Sequence, residues 1–122
     1  MKKTLLLATA ALGCTMLQAQ AGDFSHDKID VIVKATTSQY WGTVFDGARQ
    51  AAKDLGLTIA TLGAPSELDA AQEVQILENA TSAKPTGIVI AATNAQALAQ
   101  PIAAATKAGI PVIVIDSDAN TK

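Results

Sequence analysis

Four apolar, β-branched segments decide the fold: "IDVIV" (29–33), "LTIATL" (57–62), "GIVIAA" (87–92) and "IPVIVI" (110–115). Short runs rich in valine and isoleucine are typical of strands, and runs that are apolar at nearly every position are typical of strands buried on both faces. Amphipathic segments separate the four runs. The order β-α-β-α-β-α-β predicts an α/β fold with an open parallel sheet and helices on both of its faces.

The three segments between the runs carry the spacing and the end residues of helices. We predict helices over residues 41–55, 68–83 and 95–108. Gly56 and Gly109 follow the first and third of them, where helices commonly end, and Pro101 should bend the third. The inward face is predicted to hold Val44, Ala48, Ala51, Ala52 and Leu55 in the first helix and Ala71, Val74, Leu77 and Ala80 in the second.

The expected strand order is 2-1-3-4, with right-handed crossovers and a topological switch point between the first and third strands. In sheets of this kind, ligands bind outside the carboxyl ends of the strands at the switch point. "IPVIVI" would then form a sheet edge although it is apolar on both faces, a pattern that complete proteins normally cover. We therefore expect the sequence to be the front part of a longer chain.

The first 21 residues have the pattern of a secretory signal peptide: the basic "MKK", the apolar "TLLLATAALGC" and the cleavage motif "AQA". Cleavage is expected between Ala21 and Gly22. Cys14 offers an alternative, a lipoprotein acylated at that cysteine, but the leucine usual three places before such a cysteine is Ala11 here. The predicted organisation is a signal peptide (1–21), a flexible leader (22–27) and an α/β lobe (28–122).

Charge and composition exclude several classes of function. The chain carries nine basic and eleven acidic residues, and loss of the signal peptide removes Lys2 and Lys3, which disfavours binding to nucleic acid or to an anionic membrane. No glycine-rich phosphate loop occurs. The mature chain would have no cysteine and a single histidine, His26 in the leader, so His/Cys metal sites and catalytic triads cannot be assembled. We predict no enzymatic activity, no metal and no cofactor.

The predicted strand ends carry a few charges, neutral polar groups and aromatic rings. Three of the four aromatic residues of the chain, Tyr40, Trp41 and Phe45, fall within six positions. A sugar or polyol needs strong hydrogen-bonding groups for its hydroxyls and a ring against its C–H faces. Lys34 is the candidate donor, Asp116 the candidate acceptor, and Tyr40 or Trp41 the candidate platform.

Each of these candidates has a structural alternative. Tyr40 and Trp41 could pack on the first turn of the first helix, and Phe45 is expected in the core. Asp116 could be a turn residue, since aspartate favours turns, and Lys34 could be a solvated charge at a strand end. Asp118 is expected to be a solvated turn residue.

Three ordered blocks of the sequence resemble a known family: "KIDVIVKATTSQYWGTVFDGARQAAKDLG" (28–56), "AQEVQILEN" (71–79) and "AGIPVIVIDSDAN" (108–120). They are similar to the N-terminal lobe of type 1 periplasmic sugar-binding proteins of the ribose-binding-like group. Proteins of this family are the substrate-binding components of bacterial ABC importers. The resemblance covers residues 28–122.

The resemblance implies two similar lobes that close on a small sugar or polyol in the periplasm, with an inner-membrane permease as partner. Two positions depart from the family pattern. Ala91 stands where a polar ligand contact is often found, and the arginine that often follows the fourth-strand aspartate is Ser117. The second departure argues against ribose. Lys34 after the first strand with "DSD" (116–118) after the fourth is more similar to the branch that includes binders of autoinducer-2 and other polyols. The implied ligand-binding residues are Lys34, Ser38, Tyr40, Trp41, Asp116 and Ser117.

One functional alternative stays open, an exported sensing module that presents autoinducer-2 or a sugar to a membrane receptor or kinase. Two others are disfavoured. The effector domain of LacI-like repressors shares this fold, but those proteins begin with a DNA-binding helix-turn-helix and this chain begins with the predicted signal peptide. A flavodoxin-like enzyme fragment would need the phosphate loop that the sequence lacks.

Overall fold

The computed structural model describes residues 22–119. The predicted signal peptide, with Cys14, and residues 120–122 lie outside the described residues. Strands and helices alternate strictly along the chain, which confirms the predicted α/β fold. The elements are β1 (Lys28–Val33), α1 (Gln39–Leu55), β2 (Thr58–Gly63), α2 (Ala70–Ala83), β3 (Gly87–Ile90), α3 (Ala95–Lys107) and β4 (Val112–Val114).

All four strands are parallel and their order is β2-β1-β3-β4, as predicted. β1 lies in the centre, where Val31 pairs with Thr61 of β2 on one side and with Val89 of β3 on the other. The switch point therefore falls between β1 and β3. The carboxyl ends of all four strands meet at one edge of the sheet.

Local capping explains where the helices begin and end. Asp69 delays the start of α2 to Ala70, because its carboxylate accepts from the Gln72 N–H at 3.0 Å. Asn94 caps α3 by accepting from the N–H groups of Gln96 and Ala97. Gly56 ends α1 at φ 73°, a left-handed conformation that glycine adopts without a steric penalty.

Two apolar clusters cover the two faces of the sheet. On one face, Ile32, Ile88 and Ile90 pack against residues of α2 and α3 that include Leu77 and Leu98. On the other face, Val31 and Val33 belong to one cluster with Trp41 and Phe45 of α1. Phe45 is in the core, as predicted.

The predicted inward face of α1 is wrong in part. The helix buries Trp41, Phe45 and Ala52, whereas Leu55 is 52% exposed. Ala51 is exposed as well. The physical reason is that Ala51 and Leu55 line an apolar groove between α1 and the sheet that the other described elements leave uncovered.

The β4 side of the sheet keeps exposed apolar surface. Ile113 of β4 is 61% exposed and shares an apolar groove with Leu55 and Phe24. Phe24 belongs to the predicted leader, and residues 22–26 of that leader are exposed. The leader's last residue is tied to β2, since the Asp27 carbonyl accepts from the Thr58 N–H at 2.9 Å. Within residues 22–119, no helix has the length and apolar character needed to span a membrane.

Candidate functional site

The sheet brings Lys34 and Asp116 together across the switch point. Lys34 follows β1 and Asp116 comes shortly after β4, and the Lys34 Nζ lies 2.7 Å from the Asp116 Oδ2. The ammonium also donates to the hydroxyl of Ser117, which in turn donates to the Asp116 Oδ2 at 3.0 Å. We call Lys34, Asp116 and Ser117 the polar cluster.

A tight turn aims the carboxylate of Asp116 at Lys34. Asp116 has φ 64°, and the Ser117 N–H donates to the Ile115 carbonyl at 2.7 Å. Aspartate is one of the few residues that tolerate positive φ. Asp116 is therefore both a turn residue and a partner of Lys34, so the structural and functional interpretations of this residue are compatible.

The Asp116 carboxylate is held in its charged form. Hydrogen bonds from Lys34 and then from Ser117 lower the pKa of this carboxyl below its usual value. Within residues 22–119, the side-chain hydrogen bonds to this carboxylate all go to Oδ2. Since its side chain is 35% exposed, the Oδ1 atom is in a position to accept from hydroxyl groups of a ligand.

Ser38 and Tyr40 lie at the start of α1, four and six residues after Lys34. Ser38 is the N-cap residue of α1, but its side chain makes no capping hydrogen bond. Tyr40 is 60% exposed, and its ring meets that of Trp41 edge-on with centroids 4.8 Å apart. Tyr40 thus offers free aromatic surface near a serine hydroxyl that is not used by the helix.

Trp41 is only 2% exposed, in contrast to Tyr40. Its indole Nε1 donates to the Glu67 carboxylate at 2.7 Å, and the Lys34 Nζ lies 5.9 Å from its ring centroid. The burial favours the structural alternative, in which Trp41 packs on the sheet. Stacking of Trp41 on a ligand stays a prediction.

Sequence reasoning missed one residue of this region, Glu73. It is fully buried in the first turn of α2, and its Oε2 accepts from the Thr93 N–H at 2.9 Å. The predicted inward stripe of α2 omitted this position and included Ala71, which is exposed. The spacing of four between Glu73 and Leu77, on the same face of the helix, is the sequence feature that indicates the buried position.

The described part of the chain offers binding groups and no metal site. No three His, Cys, Asp or Glu side chains among residues 22–119 are placed to hold a metal ion. Among the described residues, the carboxyl edge presents the Lys34–Asp116 ion pair, hydroxyl groups and the exposed phenol ring of Tyr40. Polar and aromatic groups at the switch point of an open parallel α/β sheet are the arrangement expected of a candidate ligand site.

The comparison with protein families agrees with this class. A model of the family described as the periplasmic binding protein domain matches residues 29–122, and the chain belongs to this family. The predicted resemblance to the N-terminal lobe of type 1 periplasmic sugar-binding proteins is thereby confirmed.

Similar proteins with curated names are sugar-binding proteins. The D-allose-binding periplasmic protein of Escherichia coli is 28% identical over 116 residues, which is 95% of this chain and 37% of that protein. The ribose import binding protein of Haemophilus influenzae is 29% identical over 98% of this chain and 39% of its own length. The chain thus spans less than two fifths of the curated relatives that it matches.

A solved structure shares both the fold and much of the sequence. It is a carbohydrate transporter solute-binding protein from Agrobacterium radiobacter in complex with D-arabinose, 48% identical with a TM-score of 0.75. The match covers 77% of this chain and 32% of that protein.

Proposed function

We propose that the protein is an exported solute-binding protein that captures a small neutral sugar or polyol for an ABC importer. The observation that carries the proposal is the polar cluster at the carboxyl edge of the sheet, with its 2.7 Å contact between Lys34 and Asp116. Membership of a family whose named relatives bind D-allose and ribose supports the same ligand class.

The polar cluster has the chemistry that a neutral polyhydroxylated ligand requires. The Asp116 carboxylate accepts from ligand hydroxyls, and the Lys34 ammonium and the Ser38 hydroxyl donate to ligand oxygens. The Ser117 hydroxyl donates to Asp116 and keeps a lone pair that accepts from a ligand hydroxyl. Charged partners make these hydrogen bonds about twice as strong as neutral ones. Because Lys34 and Asp116 neutralise each other, the site favours an uncharged ligand over a sugar acid or an amino sugar.

The Tyr40 ring supplies the apolar part of the proposed site. Its 60% exposure leaves aromatic surface against which the C–H face of a sugar ring can lie. Trp41 supports Tyr40 through the edge-on contact and fixes the start of α1 on the sheet.

Capture by closure of two lobes and delivery to a permease in the inner membrane belong to the proposal. This chain supplies the first lobe, which spans 37–39% of the length of its curated relatives. Hinge closure would enclose the ligand between the polar cluster and a second lobe, and no chemical step is required.

Calorimetric titration of the mature protein, purified as its own cells export it, tests the ligand class. The panel is D-arabinose, D-allose, D-ribose and ribitol, with glucuronate and glucosamine as charged controls. We expect saturable binding of at least one neutral member and none of the charged controls. Binding of only a charged compound, or of none of the panel, would contradict the proposal.

Export is tested on the same purified sample. Mass spectrometry of the N-terminal peptide should show Gly22 as the first residue, because the proposed signal peptidase site lies after Ala21. An N-terminal peptide that retains the "MKK" segment would contradict cleavage, and one that begins at an acylated Cys14 would show a lipoprotein instead.

A further inference from the structure

The loop between β2 and α2, residues 64–69, lies at the carboxyl edge of the sheet but contributes no residue to the polar cluster. It carries Glu67, an exposed residue whose Oε1 accepts from the indole Nε1–H of Trp41 at 2.7 Å. Trp41 itself is 2% exposed. Because a buried N–H without a partner is costly, this surface acid satisfies the polar atom of a buried ring.

Two further hydrogen bonds tie the same loop to the loop that follows β1. The Thr36 N–H donates to the Ala64 carbonyl at 2.8 Å. The Thr37 hydroxyl donates to the Pro65 carbonyl, also at 2.8 Å. These bonds hold the backbones of the two loops together, and the indole bond of Glu67 adds the first turn of α1 to the same connection.

The ring that Glu67 holds lies beside the polar cluster. The Lys34 Nζ is 5.9 Å from the centroid of the Trp41 ring, within the range of a cation–π contact. The same Nζ lies 2.7 Å from the Asp116 carboxylate, and the Lys34 side chain is 16% exposed. The ammonium is therefore held between the face of the indole ring and the carboxylate.

The direction of the indole bond matters for this contact. The apolar cluster that Trp41 shares with Val31 and Val33 keeps the ring out of water, but apolar burial has no preferred direction. A hydrogen bond has one. The bond to Glu67 therefore sets the rotation of the ring, and a cation is attracted to the face of an aromatic ring and not to its edge.

We propose that Glu67 is a positioning residue of the ligand site. Its hydrogen bond fixes the rotation of the Trp41 ring, and the face of that ring holds the Lys34 ammonium in place beside Asp116. Glu67 acts through Trp41 and not by contact with the ligand. The inference rests on the proposed function where it concerns sugar binding, and on the contacts of Trp41 where it concerns Lys34.

Two substitutions separate the acceptor of Glu67 from its bulk. Glu67→Gln keeps an acceptor for the indole N–H, whereas Glu67→Met keeps a similar length and removes the carboxylate oxygens. Glu78→Met is the matched control, since Glu78 is an exposed glutamate of α2. The measured quantity is the acetylation rate of Lys34 at one fixed pH, followed by peptide mass spectrometry on the mature protein as exported. An amine that must first leave its contacts reacts slowly.

Acetylation of Lys34 should be about twofold faster or more in Glu67→Met than in the wild-type protein, because the ring face no longer holds the ammonium. Glu67→Gln and Glu78→Met should keep the wild-type rate. A wild-type rate in Glu67→Met overturns the inference, and so does a rate in Glu67→Gln as high as that in Glu67→Met. Glu67→Ala is judged by the same criteria if Glu67→Met does not fold.

A double-mutant cycle separates this positioning role from a general loosening of the loop. Trp41→Phe keeps an aromatic ring and removes the donor of the indole bond. In that background, Glu67→Met should leave the acetylation rate of Lys34 unchanged, because the bond through which Glu67 acts is already absent. A further rise in the double variant would show that Glu67 acts by another route, and would overturn the inference.

Sugar titration then separates this inference from the proposed function. If the exported protein binds a neutral sugar, Glu67→Met should weaken that binding at least about threefold, as expected from a misplaced donor, and Glu67→Gln should retain it. Unchanged affinity in Glu67→Met would overturn the positioning role even if Lys34 reacts faster. If the wild-type protein binds no sugar, the proposed function fails, while the acetylation rates still decide the role of Glu67.

Discussion

The two ends of β1 each place a lysine beside an aspartate, but the two pairs differ in every physical respect. At the amino end, the Lys28 Nζ lies 3.1 Å from an oxygen of Asp30, on the same strand, without the alignment of a hydrogen bond. At the carboxyl end, Lys34 reaches Asp116 at 2.7 Å with a hydrogen bond that joins residues 82 positions apart.

Exposure separates the two pairs most clearly. The Asp30 side chain is 2% exposed and that of Lys28 is 44% exposed, so the amino-end charge lies in the core with one solvated partner. The Lys34 and Asp116 side chains are 16% and 35% exposed. The amino-end pair therefore bears on the free energy of unfolding, whereas the carboxyl-end pair leaves polar atoms within reach of a ligand.

The largest expected effect is on the free energy of unfolding and comes from Trp41, whose ring packs beside the carboxyl end of β1. Trp41→Ala should lower the free energy of unfolding by about 3–5 kcal/mol, because it removes a buried ring and leaves a cavity. Urea denaturation measures the change. Tyr40→Ala is the control, and since Tyr40 is 60% exposed its substitution should alter stability far less and weaken sugar binding instead. The opposite result would place the Trp41 ring in the ligand site and return Tyr40 to a structural role.

The second prediction tests the carboxyl-end pair itself. Asp116→Ala in the exported protein should weaken sugar binding by about 2–4 kcal/mol, because ligand hydroxyls and Lys34 lose a charged acceptor. Calorimetric titration with the sugar found in the panel measures the loss. Asp118→Ala, two residues further on in an exposed position, should retain affinity. Equal losses in both variants would point to a general disturbance of the turn.

The third prediction tests the amino-end pair. Lys28→Met should lower the free energy of unfolding by about 1–3 kcal/mol, because it leaves the buried Asp30 carboxylate without its partner. Sugar affinity should not change. Lys53→Met, on the exposed side of α1, is the matched control and should cost less. If Lys28→Met weakens sugar binding as Asp116→Ala does, the separation of the two ends is wrong.

The smallest expected effect is on the pH dependence of the free energy of unfolding, to which two carboxyl groups contribute with opposite signs. The folded-state pKa of Asp116 is lowered, so its contribution to stability is present above about pH 4 and is lost as the pH falls through the lowered value. The folded-state pKa of Glu73 is raised, so its contribution is present below about pH 4 and is lost as the pH rises through the raised value.

Urea midpoints measured between pH 3 and pH 7 test both signs. Asp116→Asn should flatten the loss of stability on the acid side, and Glu73→Gln should flatten the loss toward neutral pH. A Glu73→Gln variant that loses stability above about pH 4 as steeply as the wild-type protein would show that another group causes the loss.

Repeating patterns made most of the fold predictable. Four β-branched runs and the glycines after two helices were enough for the parallel sheet, its strand order and the C-terminal end of α1 at Gly56. The start of α2 was placed two residues early because the capping bond from Asp69 to Gln72 was not foreseen. The inward face of α1 was misjudged at Ala51 and Leu55, because the described elements leave uncovered the apolar groove that these two residues line.

The candidate site was predictable only as a set of strand-end residues. Lys34, Asp116 and Ser117 were candidates because each follows a predicted strand. The order of the strands in the sheet brings the three residues together. A spacing of four from Phe45 indicates the buried ring of Trp41. Tyr40 has the same spacing from Val44, so this pattern alone did not separate the two rings. The buried charge of Glu73 depends on a contact with Thr93, twenty residues away, that only the folded chain shows.

The burial of Trp41 has a consequence for spectroscopy. Trp41 is the only tryptophan in the sequence. Its indole donates to Glu67, which lies in the loop after β2, and its ring centroid lies 5.9 Å from the Lys34 Nζ. Within these 122 residues, fluorescence excited at the indole band therefore comes from this one position beside the polar cluster. Any rearrangement of the Lys34 charge changes the electric field on that indole, so this part of the protein carries an optical reporter for occupancy of the carboxyl edge.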